Sequence, residues 1–253
     1  MNDAAAPDFA LDGAVYLVRP TGRQACDLDE LRNLIEAATD DELFFHSQMP
    51  RLRLREVTDL APDDYSAWAR GVIQDTQTAE RLAFAVQTSP HDPRELRTAL
   101  LAVLDDLTSV ERRRRSAPDG GALVGLTHET VRIPTGVVVA DPAALMEELS
   151  RAHPSVWFHH LIEIPWTAPP EGTAAAWLRV HGAARLATLL EAEAASGRTV
   201  AAARRRLLGY WKRSNMARRI ADRAVLPEDV RRESEHAAVA GLVKRIRGPQ
   251  VSK

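Results

Sequence analysis

The feature that most constrains the fold is an ordered set of sequence signals that occurs twice, about 113 residues apart. Residues 18–22 and 131–136 both end in Pro-Thr-Gly, and each segment is followed by an aspartate at a predicted helix start. Later segments keep the same order, although the gaps between them differ by a few residues, as loop lengths do. Because self-similarity at a fixed spacing is typical of repeated structural units, the sequence predicts two homologous units.

Each Pro-Thr-Gly segment predicts the turn of a short β-hairpin. Proline presets φ for the second position of a tight turn, and glycine tolerates the positive φ that closes short hairpin loops. The predicted strands are residues 15–19 with 24–26 in the first unit and residues 130–133 with 137–140 in the second.

Helix signals dominate the rest of each unit. Asp27 is followed three residues later by Glu30, as in a capping box, and Asp141 precedes a proline at a position where a helix needs no N–H. The predicted fold class is mainly α, with two homologous helical units, each carrying a short N-terminal β-hairpin, and a C-terminal helical extension. The predicted boundaries are 9–110 for the first unit, 111–125 for an arginine-rich linker, 126–213 for the divergent second unit and 214–253 for a basic helical tail.

A histidine ends an aromatic segment in each predicted unit: His46 follows Phe-Phe, and His159 follows Trp-Phe. His159 and Glu163, four residues apart on a helix, could supply two metal ligands, but Pro50 stands four residues after His46. We therefore expect no metal site. A structural histidine that packs on the aromatic segment is the favoured interpretation, and a ligand or partner surface is the alternative.

Tryptophans and arginines also occur in both units, in the segments that contain Trp68 and Trp177. Large aromatic residues at helical spacing usually pack in a core, so we favour core packing over a ligand cage. Arginines that recur with the core pattern favour binding of helix-end carbonyls or carboxylates over anion recognition. With the two histidines, the candidate ligand or partner surface comprises Trp68, Trp177, Arg70, Arg179, Asp63 and Asp64.

Charge is distributed unevenly along the chain. Residues 204–253 contain 14 Lys and Arg against 5 Asp and Glu, although the formal net charge of the whole chain is only −2. A basic segment could neutralise phosphates, but the acidic body would repel a polyanion, so nucleic-acid binding is possible but disfavoured. The basic residues of the predicted tail that could form such a surface are Arg218, Arg219, Arg223, Arg231, Arg232, Lys244, Arg245 and Arg247.

Several function classes are disfavoured by composition and by missing motifs. The single cysteine, Cys26, cannot form an intrachain disulfide, and Ala140 takes its place in the second unit, which argues against a catalytic thiol. The sequence has no phosphate-binding glycine loop, nucleophile elbow or zinc-protease motif. We expect no cofactor, no membrane association and a cytoplasmic location.

The combination of Pro-Thr-Gly, a capped helix, an aromatic-aromatic-His triplet and a Trp helix resembles the prokaryotic domain-of-unknown-function family 5752. The first unit resembles it over most of residues 17–107, including the segment Asp-Asp-Tyr-Ser-Ala-Trp at 63–68. The second unit is more divergent, because residues 173–177 lack the acidic and aromatic residues of that segment. The resemblance implies two tandem copies of the family domain and no known activity.

Three function classes follow from these observations. The leading prediction is a non-catalytic protein-interaction or adaptor module that binds itself or another protein, because neither unit contains a complete catalytic set. The second is an enzyme or small-ligand binder with a site between the two units. The third is a nucleic-acid accessory protein that uses the basic tail.

Overall fold

The computed structural model describes residues 7–53, 63–89 and 92–225, with side chains to residue 216. The chain forms two compact units, the first ending at Leu208 and the second beginning at Gly209. In the second unit, the described backbone is helical as far as Val225. The boundaries predicted at residues 110 and 125 remain predictions.

Two long strands run through the first unit and form an antiparallel sheet. Strands β1 (Phe9–Ala25) and β2 (Leu123–Val139) pair from Phe9 opposite Val139 to Ala25 opposite Leu123. The centre of the ladder is Tyr16 opposite Thr130. One face of the sheet packs on helices, and the other exposes aliphatic side chains such as Val15 and Val131.

The two predicted β-hairpins are wrong. Each Pro-Thr-Gly segment lies inside one long strand and forms an irregularity in its register: the first between Pro20 and Gln24, and the second where Pro134 and Val137 lie opposite Asp12 and Leu11. Gly22 and Gly136 have φ of 79° and 76° there. The positive φ was therefore predicted correctly, but extra residues accommodated in one strand of a pair give a bulge instead of a chain reversal.

The chain between the strands is helical, as predicted, and each long helix begins at a polar cap. Asp27 accepts hydrogen bonds from the N–H groups of Asp29 and Glu30, and Asp92 accepts from those of Arg94 and Glu95. The helices are α1 (Leu28–Glu36), α2 (Asp40–Gln48), α3 (Pro50–Arg53), α4 (Asp64–Gly71), α5 (Thr76–Thr88), α6 (Pro93–Asp105) and α7 (Ser109–Arg112).

After β2, Asp141 caps the next helix, as expected. The following helix changes to π-helical geometry over His159–Glu163 and then returns to α-helix. The helices are α8 (Pro142–Arg151), α9 (Pro154–Phe158), α10 (Ile164–Thr167), α11 (Ala174–Val180), α12 (Ala184–Ala195) and α13 (Val200–Val225).

The core explains why these amphipathic helices pack as they do. Leu31, Leu34 and Ile35 on α1 keep the spacing of one helix face and are buried with Leu100 and Leu104 of α6. Burial of each such side chain contributes roughly 1.5–3 kcal/mol to folding. The predicted mainly helical class is thus confirmed, with a small two-stranded sheet added.

Candidate ligand-binding site

A cavity of about 540 Å³ lies where β2 meets α2 and the π-helical turn, with one lining residue, Arg19, on β1. Its buried members are Phe44, His159 and Glu163, whereas charged residues at its opening are exposed. The cavity is lined by Arg19, Asp41, Phe44, His128, Glu129, Thr130, Arg132, His159, Glu163, Ile164 and Thr167.

His159 and Glu163 form a hydrogen-bonded pair at this cavity. The Nδ1 atom of His159 lies 2.7 Å from Oε2 of Glu163, and both residues are only 4% exposed. Two hydroxyl groups from the sheet also donate to the carboxylate: Tyr16 from β1, at 2.8 Å, and Thr130 from β2. Glu163 therefore accepts three hydrogen bonds from three different elements.

These hydrogen-bond donors keep the carboxyl group of Glu163 ionised. Burial by itself would raise the pKa of Glu163, but hydrogen bonds from His159, Thr130 and Tyr16 outweigh burial and hold the pKa below its usual value. Burial and the Glu163 charge raise the pKa of the Tyr16 phenol far above its usual value. Glu163 is thus a carboxylate at neutral pH, and Tyr16 remains a donor.

The second ring nitrogen of His159 is left unused. Its Nε2 atom is buried and has no hydrogen-bond partner within the described part of the chain. The Nδ1 atom of His128, on the wall of the same cavity, is buried and unpaired as well. Buried polar atoms normally have partners, so two unpaired imidazole nitrogens at one cavity point to a ligand or solvent that completes them.

The hydrogen-bonded residues His159 and Glu163 are the first and last residues of the π-helical turn. A π turn accommodates one more residue than an α turn and frequently occurs at functional sites. The aromatic helices α2 and α9 are each followed by a proline, Pro50 and Pro165, and the π turn lies between α9 and Pro165. With this geometry His159 and Glu163 still lie one above the other, as their spacing of four predicts.

His46 uses both of its ring nitrogens within the protein. Nδ1 lies 3.0 Å from Oδ2 of Asp64, and Nε2 accepts a hydrogen bond of 2.9 Å from the N–H of Leu126 on β2. The ring is 1% exposed. His46 therefore joins α2, α4 and the sheet, and it has no nitrogen free for a ligand.

His160 was not among the residues selected from the sequence, but it contacts β1 as His46 contacts β2. Its Nε2 atom accepts a hydrogen bond of 2.9 Å from the N–H of Asp12 on β1. His160 follows His46 by 114 residues, and Leu126 follows Asp12 by the same number. His160 thus makes to β1 the contact that His46 makes to β2.

The other residues of the predicted surface do not line this cavity. Asp63 is buried and caps α4, where it accepts from the N–H and hydroxyl of Ser66. Burial, with a smaller contribution from the Asp64 charge, raises the pKa of Asp63 to about 6 although the Ser66 hydrogen bonds oppose it. Asp64 also binds Arg53, at 3.2 Å, and Arg70 lies 3.5 Å from Glu80.

Trp68 and Trp177 are nearly buried and anchor the sheet ends. Nε1 of Trp68 donates to the carbonyl of Gly121, at 2.8 Å, and Nε1 of Trp177 donates to that of Pro7, at 2.6 Å. Arg179 makes a two-pronged ion pair with Glu191 beside a separate, mostly apolar cavity of about 560 Å³.

The structure describes only the first part of the predicted basic tail. Side chains of Arg218, Arg219 and Arg223 lie outside the described residues, although their backbone belongs to α13. Arg231, Arg232, Lys244, Arg245 and Arg247 lie outside them entirely.

In residues 7–53, 63–89 and 92–225, no group of three His, Cys, Asp or Glu side chains is placed to hold a metal ion. No helix there is both long and apolar enough to cross a bilayer.

Comparison with known proteins gives a family and a fold. The profile of "Family of unknown function (DUF5752)" matches residues 6–211 as one stretch. The chain belongs to this family. Among solved structures, OrfY from Thermoproteus tenax superposes with a TM-score of 0.67 at 19% identity, over 81% of this chain and 95% of that one. At this identity the likeness concerns the fold alone. No curated protein shows significant similarity to the chain.

In this member of the family, sequence reasoning selected one cavity residue, His159, and noted Glu163 as its neighbour. It missed Tyr16, Thr130 and His128, which reach the cavity from the strands. Alternation offered a signal: His128 and Thr130 lie two residues apart on β2 and so point to the same face of the sheet. That face could be assigned only after the strands were known to pair with each other.

Proposed function

We propose that this protein binds a small polar ligand in the cavity between β2, α2 and the π-helical turn. The observation that carries the proposal is the unpaired Nε2 atom of His159, in a side chain that is 4% exposed and lines the cavity. Leaving a buried polar atom unpaired costs about 1–3 kcal/mol, and a ligand that pairs with it recovers that energy.

The rest of the lining supports a ligand with both apolar and polar parts. Phe44 forms an aromatic wall, stacked at 5.2 Å on the His128 ring and in edge contact with Phe158 at 5.8 Å. The opening carries carboxylates and guanidinium groups, among them Asp41 and Arg132. A volume of about 540 Å³ lies in the range of small-molecule sites.

Native mass spectrometry after incubation with a small-molecule extract of the source organism tests this proposal. We expect a discrete mass increment on the wild-type chain and its loss in the His159→Phe variant, which fills the space but removes the nitrogen. His153→Gln, at an exposed histidine that does not line the cavity, is the matched control and retains the increment. An increment retained by His159→Phe would contradict the proposed site.

We also propose that the first compact unit arose by duplication. Asp27 and Asp141 are caps 114 residues apart, and Gly22 and Gly136 are bulge glycines with the same spacing. The hydrogen bonds of His46 and His160 to the opposite strands repeat this spacing, as do the two carbonyls that accept from Trp68 and Trp177. These repeated spacings support a pseudo-twofold relation centred on the Tyr16–Thr130 pair.

A protein-interaction role is the second candidate, and the exposed face of the sheet favours it. Val15 lies directly opposite Val131, and Leu17 and Ile133 extend the same aliphatic face. The partner we propose is a second copy of this chain. Sedimentation should show a dimer that Leu17→Lys converts to monomer, whereas Phe84→Lys, at an exposed apolar residue of α5, leaves the dimer intact. A monomeric wild-type chain would contradict this candidate.

We also propose a cytoplasmic location, and nucleic-acid binding is the role that the basic tail would support. A lone cysteine fits a reducing compartment. A nucleic-acid role predicts affinity that falls steeply with salt and is lost when residues 214–253 are deleted.

A further inference from the structure

The two nitrogens of His159 differ in what they can do, because Glu163 determines which one carries the proton. An ionised carboxylate has no proton to donate, so the short contact between Nδ1 and Oε2 requires the hydrogen on Nδ1. In the neutral ring, Nε2 then has a bare lone pair. Tyr16 and Thr130 hold the carboxylate on the sheet side and fix its orientation.

The geometry points to a ligand whose buried end is an O–H or N–H donor, a hydroxyl or an amine, bound to Nε2 of His159. This inference rests on the proposed function and specifies the ligand of the same site. In the neutral ring, an acceptor such as a carboxylate or phosphate oxygen would face the bare lone pair and be repelled.

The opening of the cavity does not provide this selectivity. Asp41 and Glu129 balance Arg19 and Arg132 there, and all four are exposed, so their interactions with a ligand are screened by solvent. The selective group is His159, whose side chain is shielded from water. Electrostatic and hydrogen-bond mismatches are largest at such a position.

His128 supports the same ligand class. Burial lowers the pKa of this imidazole, although Glu163 and Asp41 partly oppose the shift, so the ring is neutral at physiological pH. A neutral ring adds no positive charge that would attract an anion into the cavity. The wall beside Nε2 of His159 therefore includes the neutral His128 ring, the Phe44 ring and the hydrogen-bonded Glu163.

The carboxylate of Glu163 also fixes the orientation of the His159 ring, because hydroxyl groups from both strands hold it in place. Tyr16 and Thr130 act as positioning residues through Glu163.

Nitrogen-15 NMR of histidine-labelled full-length protein tests the inference in the absence of ligand. We expect His159 to show a protonated Nδ1 and a bare Nε2 at pH 7.5. Glu163→Gln should weaken this preference, because an amide can donate to the ring as well as accept from it. His46 and the other histidines serve as internal controls. A His159 ring with its proton on Nε2 would overturn the inference.

Three probes then define the ligand class: glycerol, ethylamine and acetate. We expect glycerol or ethylamine to shift the Nε2 resonance of His159 and acetate to leave it unchanged, and the more effective donor identifies hydroxyl or amine chemistry. Acetate as the only effective probe would overturn the inference. If no donor probe acts while mass spectrometry still finds an occupant at the site, the ligand class is wrong and the proposed function stands. If neither method finds an occupant, both are wrong.

Discussion

The halves of the first compact unit place a histidine against the sheet in the same way and then differ at the neighbouring position. His46 and His160 each accept a hydrogen bond from a strand N–H. At the residue before them, one half has Phe45, 2% exposed, and the other has His159 with its unpaired nitrogen. The comparison shows that both halves make the same contact to the sheet although the neighbouring residue is an apolar ring in one and an imidazole with an unpaired nitrogen in the other.

The same contrast extends to the partner of His159. Met49, which is buried, follows Phe45 by four residues, as Glu163 follows His159. An apolar pair in one half thus corresponds to a hydrogen-bonded polar pair in the other. Apolar side chains stabilise by burial alone, whereas the polar pair needs donors from Tyr16 and Thr130 and leaves one nitrogen unpaired.

The largest effect is expected from His46→Ala. This change leaves the Leu126 N–H unpaired, removes one of the partners of Asp64 and opens a cavity, which together should lower the free energy of unfolding by about 3–4 kcal/mol. Urea unfolding measures it. His159→Ala should cost less, about 1–2 kcal/mol, because it also removes a buried unpaired nitrogen. Equal costs for the two variants would contradict the expected difference between His46 and His159.

The pH dependence of stability should identify His160. Burial, followed by repulsion from His159, lowers its pKa to about 4 from 6.5. The unfolded chain therefore binds a proton between pH 6.5 and 4 that the folded chain does not, and stability falls as pH falls through this window, by up to about 3 kcal/mol.

Asp63 acts in the opposite direction in part of this window. Its folded pKa is raised from 3.8 to about 6, so the folded chain gains a proton there and is stabilised as pH falls. The measurement is thus the difference between wild type and His160→Gln, in which the Asp63 contribution cancels. We expect the variant to lose less stability between pH 6.5 and 4. Parallel curves would show that His160 is not held neutral.

The double variant His159→Phe/Glu163→Met places the apolar pair of one half in the other. We expect its free energy of unfolding to stay within about 1 kcal/mol of wild type, because replacing both members of a buried hydrogen-bonded pair by apolar groups can be nearly neutral or stabilising. Glu163→Met alone should be less stable than the double variant, since it leaves His159 Nδ1 without an acceptor. Calorimetry compares the three chains. Stability in the reverse order would argue against the two positions being equivalent.

The last comparison concerns the two tryptophans, whose variants should differ little from each other. Trp68→Phe and Trp177→Phe each remove one hydrogen bond to a backbone carbonyl at a sheet end, so each should cost about 1 kcal/mol and the two costs should agree. Thermal unfolding of both variants checks the equality. A large difference would show that the anchors are not equivalent.

Much of the local structure was predictable from the chain. Asp27 and Asp141 cap helices as expected, because a cap needs only one side chain and the N–H groups of the next turn. The His159–Glu163 contact was predictable for the same reason, since four residues on a helix bring two side chains together.

Strand pairing was beyond such reasoning. A Pro-Thr-Gly segment is compatible with a hairpin turn and with a bulge, and the choice depends on whether a distant strand is available to pair. Because the two strands form one long ribbon and not two hairpins, Tyr16 and Thr130 lie directly opposite each other. Neither hydroxyl could be assigned to Glu163 without that register.

By itself, then, the sequence determined the helical class, the capped helix starts, the positive-φ glycines and the proximity of His159 to Glu163, all of which depend on interactions within a few residues. Tertiary structure alone decided that β1 pairs with β2, that His160 accepts a hydrogen bond from a strand N–H as His46 does, and that His159 has an unpaired nitrogen at a cavity. These outcomes depend on which groups remain without a partner once segments more than 100 residues apart have packed, and no local pattern contains that information.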